Sequence, residues 1–340
     1  MSPTPRLRYA TIALLACAAL AGLWLSHNRK QFHNLQGSVW TTDYHITYEH
    51  SRVLDDSVQL VLQRVDNSAS MYNPTSQLSR LNANEIDTVD DILARLYTAS
   101  QQVYSASGGA FDPTVLPLVE AWGFARKGGT PPTQQVIDSL LAIVGFHKTA
   151  LHGRRLSKQD SRIRFDFSSI AKGLACDEVG RMLHRNGVSN FLVEIGGEVM
   201  ACGSNPRGGQ WHVSVDLPTA DTAAVDHDSA LVLALDSGAV ATSGSYRKWR
   251  EVDGQRVSHI VDPRTGQASV SHLLSVTVLA ADCMTADAWA TACMVMGCER
   301  VIDLMENRTD LGVMTISTDE KGNYIVWSNV RFAQCVVQTP

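Results

Sequence analysis

Cys-x-x-Cys spacing is absent among the seven cysteines of this 340-residue chain, so the sequence signals neither a zinc site nor a redox dithiol. A Gly-x4-Gly-Lys stretch is also absent, which excludes a Walker-type phosphate loop. Internal repeats and low-complexity tracts are missing. Charge is scarce: 19% of residues are charged, the formal net charge is −5, and no Lys/Arg stripe follows the chain. A nucleic-acid partner is therefore not expected. What remains is apolar. The chain is 44% hydrophobic with ordinary Gly and Pro, which describes a globular protein with a sizeable core, in one large domain or two medium ones.

The first thirty residues stand apart from a body spanning 31–340. Arg6 and Arg8 precede an uncharged run from Tyr9 to Leu25, and Arg29 and Lys30 follow it. This pattern describes an export signal or a single membrane anchor. Leu14-Leu15-Ala16-Cys17 resembles a bacterial lipoprotein cleavage site, although the apolar run continues well past Cys17. Both readings put the body outside the cytoplasm, on the periplasmic side of an inner membrane. Cys176, Cys283 and Cys293 lie in apolar helical patterns, where free cysteines act as small hydrophobes.

Apolar spacing predicts helices over Val53 to Val65, Ile92 to Val103, Gln134 to Ile143, Ser168 to Gly187, Thr285 to Met296 and Glu299 to Met305. Ser168 or Ser169 is the expected cap of the fourth. Strands are expected over Val39 to Tyr48, Phe191 to Cys202, Trp211 to Leu217, Ala230 to Leu235, Val257 to Val261, Leu274 to Ala280, Leu311 to Ser317 and Tyr324 to Trp327. Strands in runs, mixed with helices, argue an α+β fold. Pro218 to Ser229 reads as a polar loop insertion.

Four clusters carry chemistry-bearing residues. Ser107-Gly108-Gly109-Ala110-Phe111-Asp112-Pro113-Thr114 reads as a tight turn or a close ligand approach. Asp166-Phe167-Ser168-Ser169-Ile170-Ala171-Lys172-Gly173 opens a helix whose free amides, dipole and lysine would suit an anion. Glu194-Ile195-Gly196-Gly197-Glu198 reads as a hairpin between strands. The fourth pairs His259 to Gly266 with Ala286 to Thr291. Asp287 and Thr291 share a helix face otherwise lined by small and apolar residues. A carboxylate there must be paired, hydrogen-bonded or bound to a cation, and such oxygens suit Mg²⁺.

In order and spacing these clusters resemble the ApbE family of FAD:protein FMN transferases. The likeness runs from near Trp40 to about Gly297. It includes Tyr72 with Ser76 to Asn82, Pro117-Leu118, Trp122-Gly123-Phe124, Asp177, Ala241 to Gly244 and Tyr246-Arg247. The resemblance implies a T-fold-like architecture with the flavin between two lobes. It implies FAD contacts at Tyr72, Ala110, Phe111, Asp112, Asp166, Lys172 and Ile260, and Mg²⁺ held by the Ser169 carbonyl, Asp287 and Thr291, with Ala290 adding its carbonyl. His259 is the implied base. Two departures stand out. Trp40-Thr41-Thr42 replaces the family's Met-Gly-Thr, at a position expected to touch flavin or adenine, and Ser245 replaces an Asp or Asn.

The activity so implied moves FMN from FAD to a Thr hydroxyl of an acceptor protein, releasing AMP. The acceptor is expected to belong to an exported or membrane electron-transfer complex. An FAD diphosphatase would use nearly the same site with water in place of Thr. A flavin-binding lipoprotein without turnover is the alternative of another class, and intact His259, Asp287 and Thr291 argue against it.

Overall fold

The computed structural model describes residues 30–124, 131–216, 231–245, 249–252, 255–269 and 272–338. The apolar run Tyr9 to Leu25, Cys17, the insertion Pro218 to Ser229 and Tyr246-Arg247 lie outside them. Among the described residues no helix is long and apolar enough to cross a membrane.

An eight-stranded antiparallel sheet forms the centre. It joins, in spatial order, β1 (Gln31–Val39), β2 (Thr42–His50), β5 (Phe191–Ile195), β6 (Glu198–Cys202), β9 (Ser237–Gly244), β12 (Leu273–Ala280), β13 (Gly312–Thr318) and β14 (Tyr324–Ser328). β3 (Thr149–His152) pairs with β4 (Arg155–Lys158), and β10 (Trp249–Val252) with β11 (Gln255–Ser258). β7 (Trp211–Val215), β8 (Leu231–Leu235) and β15 (Val336–Gln338) form a three-stranded sheet. The helices are α1 (Asp55–Ala69), α2 (Gln77–Asn82), α3 (Asp91–Ser107), α4 (Leu116–Ala121), α5 (Gln134–Leu141), α6 (Ala171–Arg185), α7 (Cys283–Met296), α8 (Cys298–Met305) and α9 (Val330–Ala333).

The central sheet is covered on both faces. Ala239, Ala241, Val276, Val278 and Val313 belong to the main core, which they share with buried residues of α1, α3, α6 and α7. Their strand neighbours Val240, Leu279 and Met314 belong to a second core, with Trp211, Val213, Leu231 and Leu233 of the small sheet. Alternation along a strand sends successive side chains to opposite faces, so β12 is buried along nearly its whole length. A third, smaller cluster joins Leu118, Trp122, Ile137 and Val144 to Val257, Val261 and Ala268.

The architecture is the expected α+β mixture, and two boundaries differ in ways that matter. Val39 to Tyr48 is not one strand. β1 and β2 form a hairpin in which Val39 pairs with Thr42, leaving Trp40 and Thr41 as its two-residue turn at φ 50° and 65°. The expected serine cap of α6 is also absent. Ile170 occupies the cap position without a side-chain hydrogen bond, and the Ser168 amide donates to Asp166 Oδ1 at 2.7 Å. Cys176, Cys283 and Cys293 are free and buried, as small hydrophobes should be.

Candidate active site

Helices α6 and α7 meet at Gly173, where an added Cβ would overlap the Cys283 carbonyl. The crossing is clasped from both sides. Asp177 of α6 accepts the Cys283 and Met284 amides at 2.8 and 3.0 Å, satisfying otherwise orphaned donors at the start of α7. Asp287 of α7, only 3% exposed, accepts the Gly173 amide through Oδ2 at 3.0 Å. A regular helix would send that amide to the carbonyl four residues back, Ser169. Asp287 takes it instead, so the Ser169 carbonyl at the mouth of α6 stands outside the helical ladder. The anion that the α6 N-terminus was expected to attract is thus first of all a carboxylate of the protein itself.

Lys172 points to the same place and forms an ion pair with Glu198, at the start of β6. Burial works against the Lys172 ammonium, but Asp287 and Glu198 outweigh it and hold its pKa above the ordinary value. Burial, then Asp287, push the Glu198 carboxyl up to about 8. Burial likewise raises Asp287, opposed by Lys172. Two buried carboxyls share one ammonium, so full ionisation leaves negative charge that a proton or cation must balance.

The donor set fits a hard cation. The Asp287 hydrogen bond engages Oδ2 alone. Thr291, one turn further along α7, places Oγ1 3.2 Å from Ser243 Oγ on β9. One carboxylate oxygen, a hydroxyl and the Ser169 carbonyl suit Mg²⁺, which keeps water or substrate phosphate in its remaining positions. Among the described residues no group of three or more His, Cys, Asp or Glu side chains is arranged to hold a metal. Ala290 lies fully buried in mid-helix, where its carbonyl belongs to the ladder of α7.

The other expected residues converge in two groups. Asp112 caps a 3₁₀ turn, Pro113–Val115. Its Oδ1 accepts the Thr114 amide and hydroxyl at 2.7 and 2.6 Å, and its Oδ2 the Phe146 amide at 2.8 Å. The carboxylate, its pKa raised by burial, therefore anchors the loop, and Ala110 and Phe111 are buried beside it. Asp166 joins this loop by donating its amide to the Pro113 carbonyl at 2.7 Å. Burial raises its carboxyl as well. His259 sits at a bend just after β11, not on a strand as expected, and is partly buried. Ile260 packs into the main core while Val257 and Val261 pack into the third cluster, so this segment bridges two cores. A Cβ on Gly109 would stand 3.8 Å from Arg264 Cγ, which brings the His259 to Gly266 segment against the Gly108-Gly109 turn.

Trp40 and Tyr72 form the second group. Trp40 Nε1 donates to Asp66 Oδ1 at 2.9 Å, and Asn73 Nδ2, next to Tyr72, donates to Asp66 Oδ2 at 2.8 Å. Sequence reasoning gave no role to Asp66, Glu198 or Ser243. Glu198 carried a readable signal, a carboxylate entering an apolar strand after a double glycine. Asp66 carried none, because an Asp in the last turn of an amphipathic helix reads as solvated.

A sequence profile described as the ApbE family matches residues 40–315. The chain belongs to the ApbE family. All the candidate residues, from Trp40 to Thr291, lie within that span. A Vibrio cholerae protein named FAD:protein FMN transferase is 34% identical over 320 residues, 91% of this chain and 94% of its own length. One of the same name from Haemophilus influenzae is 32% identical, covering 90% of this chain and 92% of its own. Among solved structures, the flavin transferase ApbE from Vibrio cholerae superimposes with a TM-score of 0.80 at 31% identity, over 90% of this chain and 99% of that one. The apo Pseudomonas stutzeri flavinyl transferase ApbE also gives 0.80 at 31% identity, over 90% and 97%. ApbE membership and these structures agree with the mixed helices and antiparallel sheets described above.

Proposed function

We infer that this chain is an FAD:protein FMN transferase, dependent on Mg²⁺, that esterifies a Thr hydroxyl of an exported acceptor protein with FMN. The observation that carries the reading is the clasp of Asp287 on Gly173. It leaves one Asp287 oxygen and the Ser169 carbonyl out of the bond to Gly173, next to Lys172 in the chain, with Thr291 one turn further along α7, a donor set suited to a metal-bound diphosphate.

In the reaction, the acceptor oxygen attacks the phosphorus on the FMN side of the FAD diphosphate. A phosphoester forms, the phosphoanhydride bond breaks, and AMP departs with the bridging oxygen. The hydroxyl proton passes to His259 as general base. Lys172 holds phosphate oxygens by charge, and the buried surroundings strengthen that attraction. Mg²⁺, when bound by Asp287, Thr291 and the Ser169 carbonyl, would neutralise the diphosphate and the charge growing on AMP. Positioning and electrostatics of this kind suffice for phosphoryl transfer.

The basic residues flanking Tyr9 to Leu25 support attachment to the outer face of a cytoplasmic membrane. A reporter fused after Pro340 should be active only if it is a type that works after export. The transfer itself is tested by incubating the protein with FAD, Mg²⁺ and candidate acceptors from membrane electron-transfer complexes. Intact mass should show one FMN per target Thr. Free FMN and AMP without acceptor labelling would establish a diphosphatase, and tight FAD binding without products a storage protein.

A further inference from the structure

The turn between β1 and β2 is strained. Trp40 and Thr41 alone connect the strands, both at positive φ, a turn that ordinarily takes Asn-Gly. A bulky and a β-branched residue are costly there and persist only where surrounding structure holds them. Asp66 supplies that hold. Its carboxylate accepts the Trp40 indole N–H at 2.9 Å on one oxygen and the Asn73 amide at 2.8 Å on the other. Asn73 is itself fixed: its carbonyl accepts the Ser76 amide at 3.1 Å and the Ser79 hydroxyl at 2.8 Å, and its amide donates to Ser70 Oγ at 3.2 Å. The Tyr72 amide donates to the same Ser70 Oγ at 3.2 Å. This bonded loop holds Tyr72 83% exposed. Trp40, by contrast, is partly buried against the main core.

We propose that Asp66 is a positioning residue for the flavin nucleotide, holding the Trp40 indole and the Tyr72 loop in fixed relation so that the two rings receive one planar ring of FAD. The proposal rests on the transferase reading for the identity of the ligand. Three features support it. A large aromatic ring kept in water by a hydrogen-bonded loop makes no contribution to the core, and its value lies in stacking. Both bonds to Asp66 are made to an ionised acceptor, the stronger class of hydrogen bond. Finally, the indole N–H that Asp66 anchors exists only because Trp stands where the family pattern has Met, so the anchor belongs to this chain's own version of the site. The ring received is either isoalloxazine or adenine, and both share this stacking chemistry.

The test is a double-mutant cycle read by flavin fluorescence and thermal melting. Asp66→Ala should weaken FAD binding about tenfold, the loss expected for a charged hydrogen bond. Trp40→Phe, which keeps a ring but removes the N–H, should weaken it comparably and melt within a few degrees of the wild type. In the Trp40→Phe background, Asp66→Ala should cost only about two- to threefold, because contacting residues couple. Titrations with FMN and with AMP identify the ring: the probe whose affinity falls carries it. Equal costs of Asp66→Ala in both backgrounds would overturn the proposal. So would a lowered melting temperature with unchanged FAD affinity of the folded protein, the signature of a purely structural residue. Failure of the wild type to bind FAD would refute the transferase reading instead.

Discussion

The carboxylate of Asp287 occupies the hydrogen-bonding position that Ser169 would hold in a regular helix, accepting the Gly173 amide at 3.0 Å. One bond therefore does three things. It seats α7 on α6, it fixes one oxygen of a buried carboxylate, and it leaves the Ser169 carbonyl without the Gly173 amide that a regular helix would give it. The tight crossing that permits it depends on residue 173 having no side chain.

Gly173→Ala should accordingly separate the two helices. The added Cβ meets backbone at Cys283 and Met284, which cannot rotate away as a side chain would. The expected cost is about 1–3 kcal/mol of stability, as for other overpacked cores, with transfer activity reduced more than stability because the Asp287 bond lengthens. Urea denaturation beside transfer kinetics would decide this. A variant as stable and active as the wild type would show that the crossing has slack.

Removal of the carboxylate itself should separate stability from metal binding. Asp287→Ala should abolish transfer, and in the metal-free fold the roughly 1–3 kcal/mol cost of the unpaired Gly173 amide should be offset in part by removal of a carboxylate whose pKa is raised by burial. Mg²⁺ at about a hundredfold over its Kd should stabilise the wild type by about 2.7 kcal/mol and the variant by almost nothing. Equal stabilisation of both by Mg²⁺ would mean that Asp287 is not a ligand.

Most of this site could be read in the chain as segments, but not as geometry. The helix over Cys283–Met296 was legible because its apolar pattern and Gly297 mark its body and end. The hairpin at Gly196-Gly197 was legible from the double glycine. The β1–β2 turn was hidden, because Trp-Thr carries no turn signal and the strand residues on either side are continuous. The cap of α6 was misread for a related reason. Ser168 and Ser169 are good caps by type, but the acceptor for Gly173 comes from a residue 114 positions away. Arg64, Arg95 and Arg181 gave no sign of clustering, yet three helices bring them around Glu178 beside a cavity of about 350 Å³. Local pattern reports faces and ends of elements, whereas partners across the core are decided by packing.

Asp177 makes a prediction about pH. Burial raises its carboxyl to about 7 in the folded protein, from an ordinary 3.8. Between those values the folded state binds more protons than the unfolded chain, so this group's contribution to stability falls as pH rises and levels off above about 7. Asp177→Asn removes the titration. It also turns an amide NH₂ toward the Cys283 or Met284 N–H, costing about 1–3 kcal/mol at any pH. The variant should therefore be clearly less stable than the wild type at pH 5, with the gap narrowing by pH 7.5. Urea midpoints at both values check this, and parallel curves would place the titration elsewhere.

His259→Ala should reduce transfer to Thr far more than it reduces FAD binding. On the proposed reading FAD affinity would be spread over Trp40, Tyr72, the Ala110 to Asp112 loop, Lys172 and the metal, whereas His259 stands, partly buried, at a bend between β11 and Ile260. Ser258 Oγ and the Ser269 amide bond to the backbone of Ile260 at 3.3 and 2.8 Å, so the segment keeps its course when the imidazole is removed. Loss of a general base costs about 10²–10⁴ in rate, or roughly 3–5 kcal/mol of transition-state stabilisation. Loss of one neutral hydrogen-bonding group costs nearer 1 kcal/mol of binding. Single-turnover transfer measured beside FAD affinity separates the two. Parallel losses would make His259 a binding residue. Unchanged transfer would move the base elsewhere, with Asp262, held by Arg264 at 2.9 and 2.7 Å, the next carboxylate along the same segment.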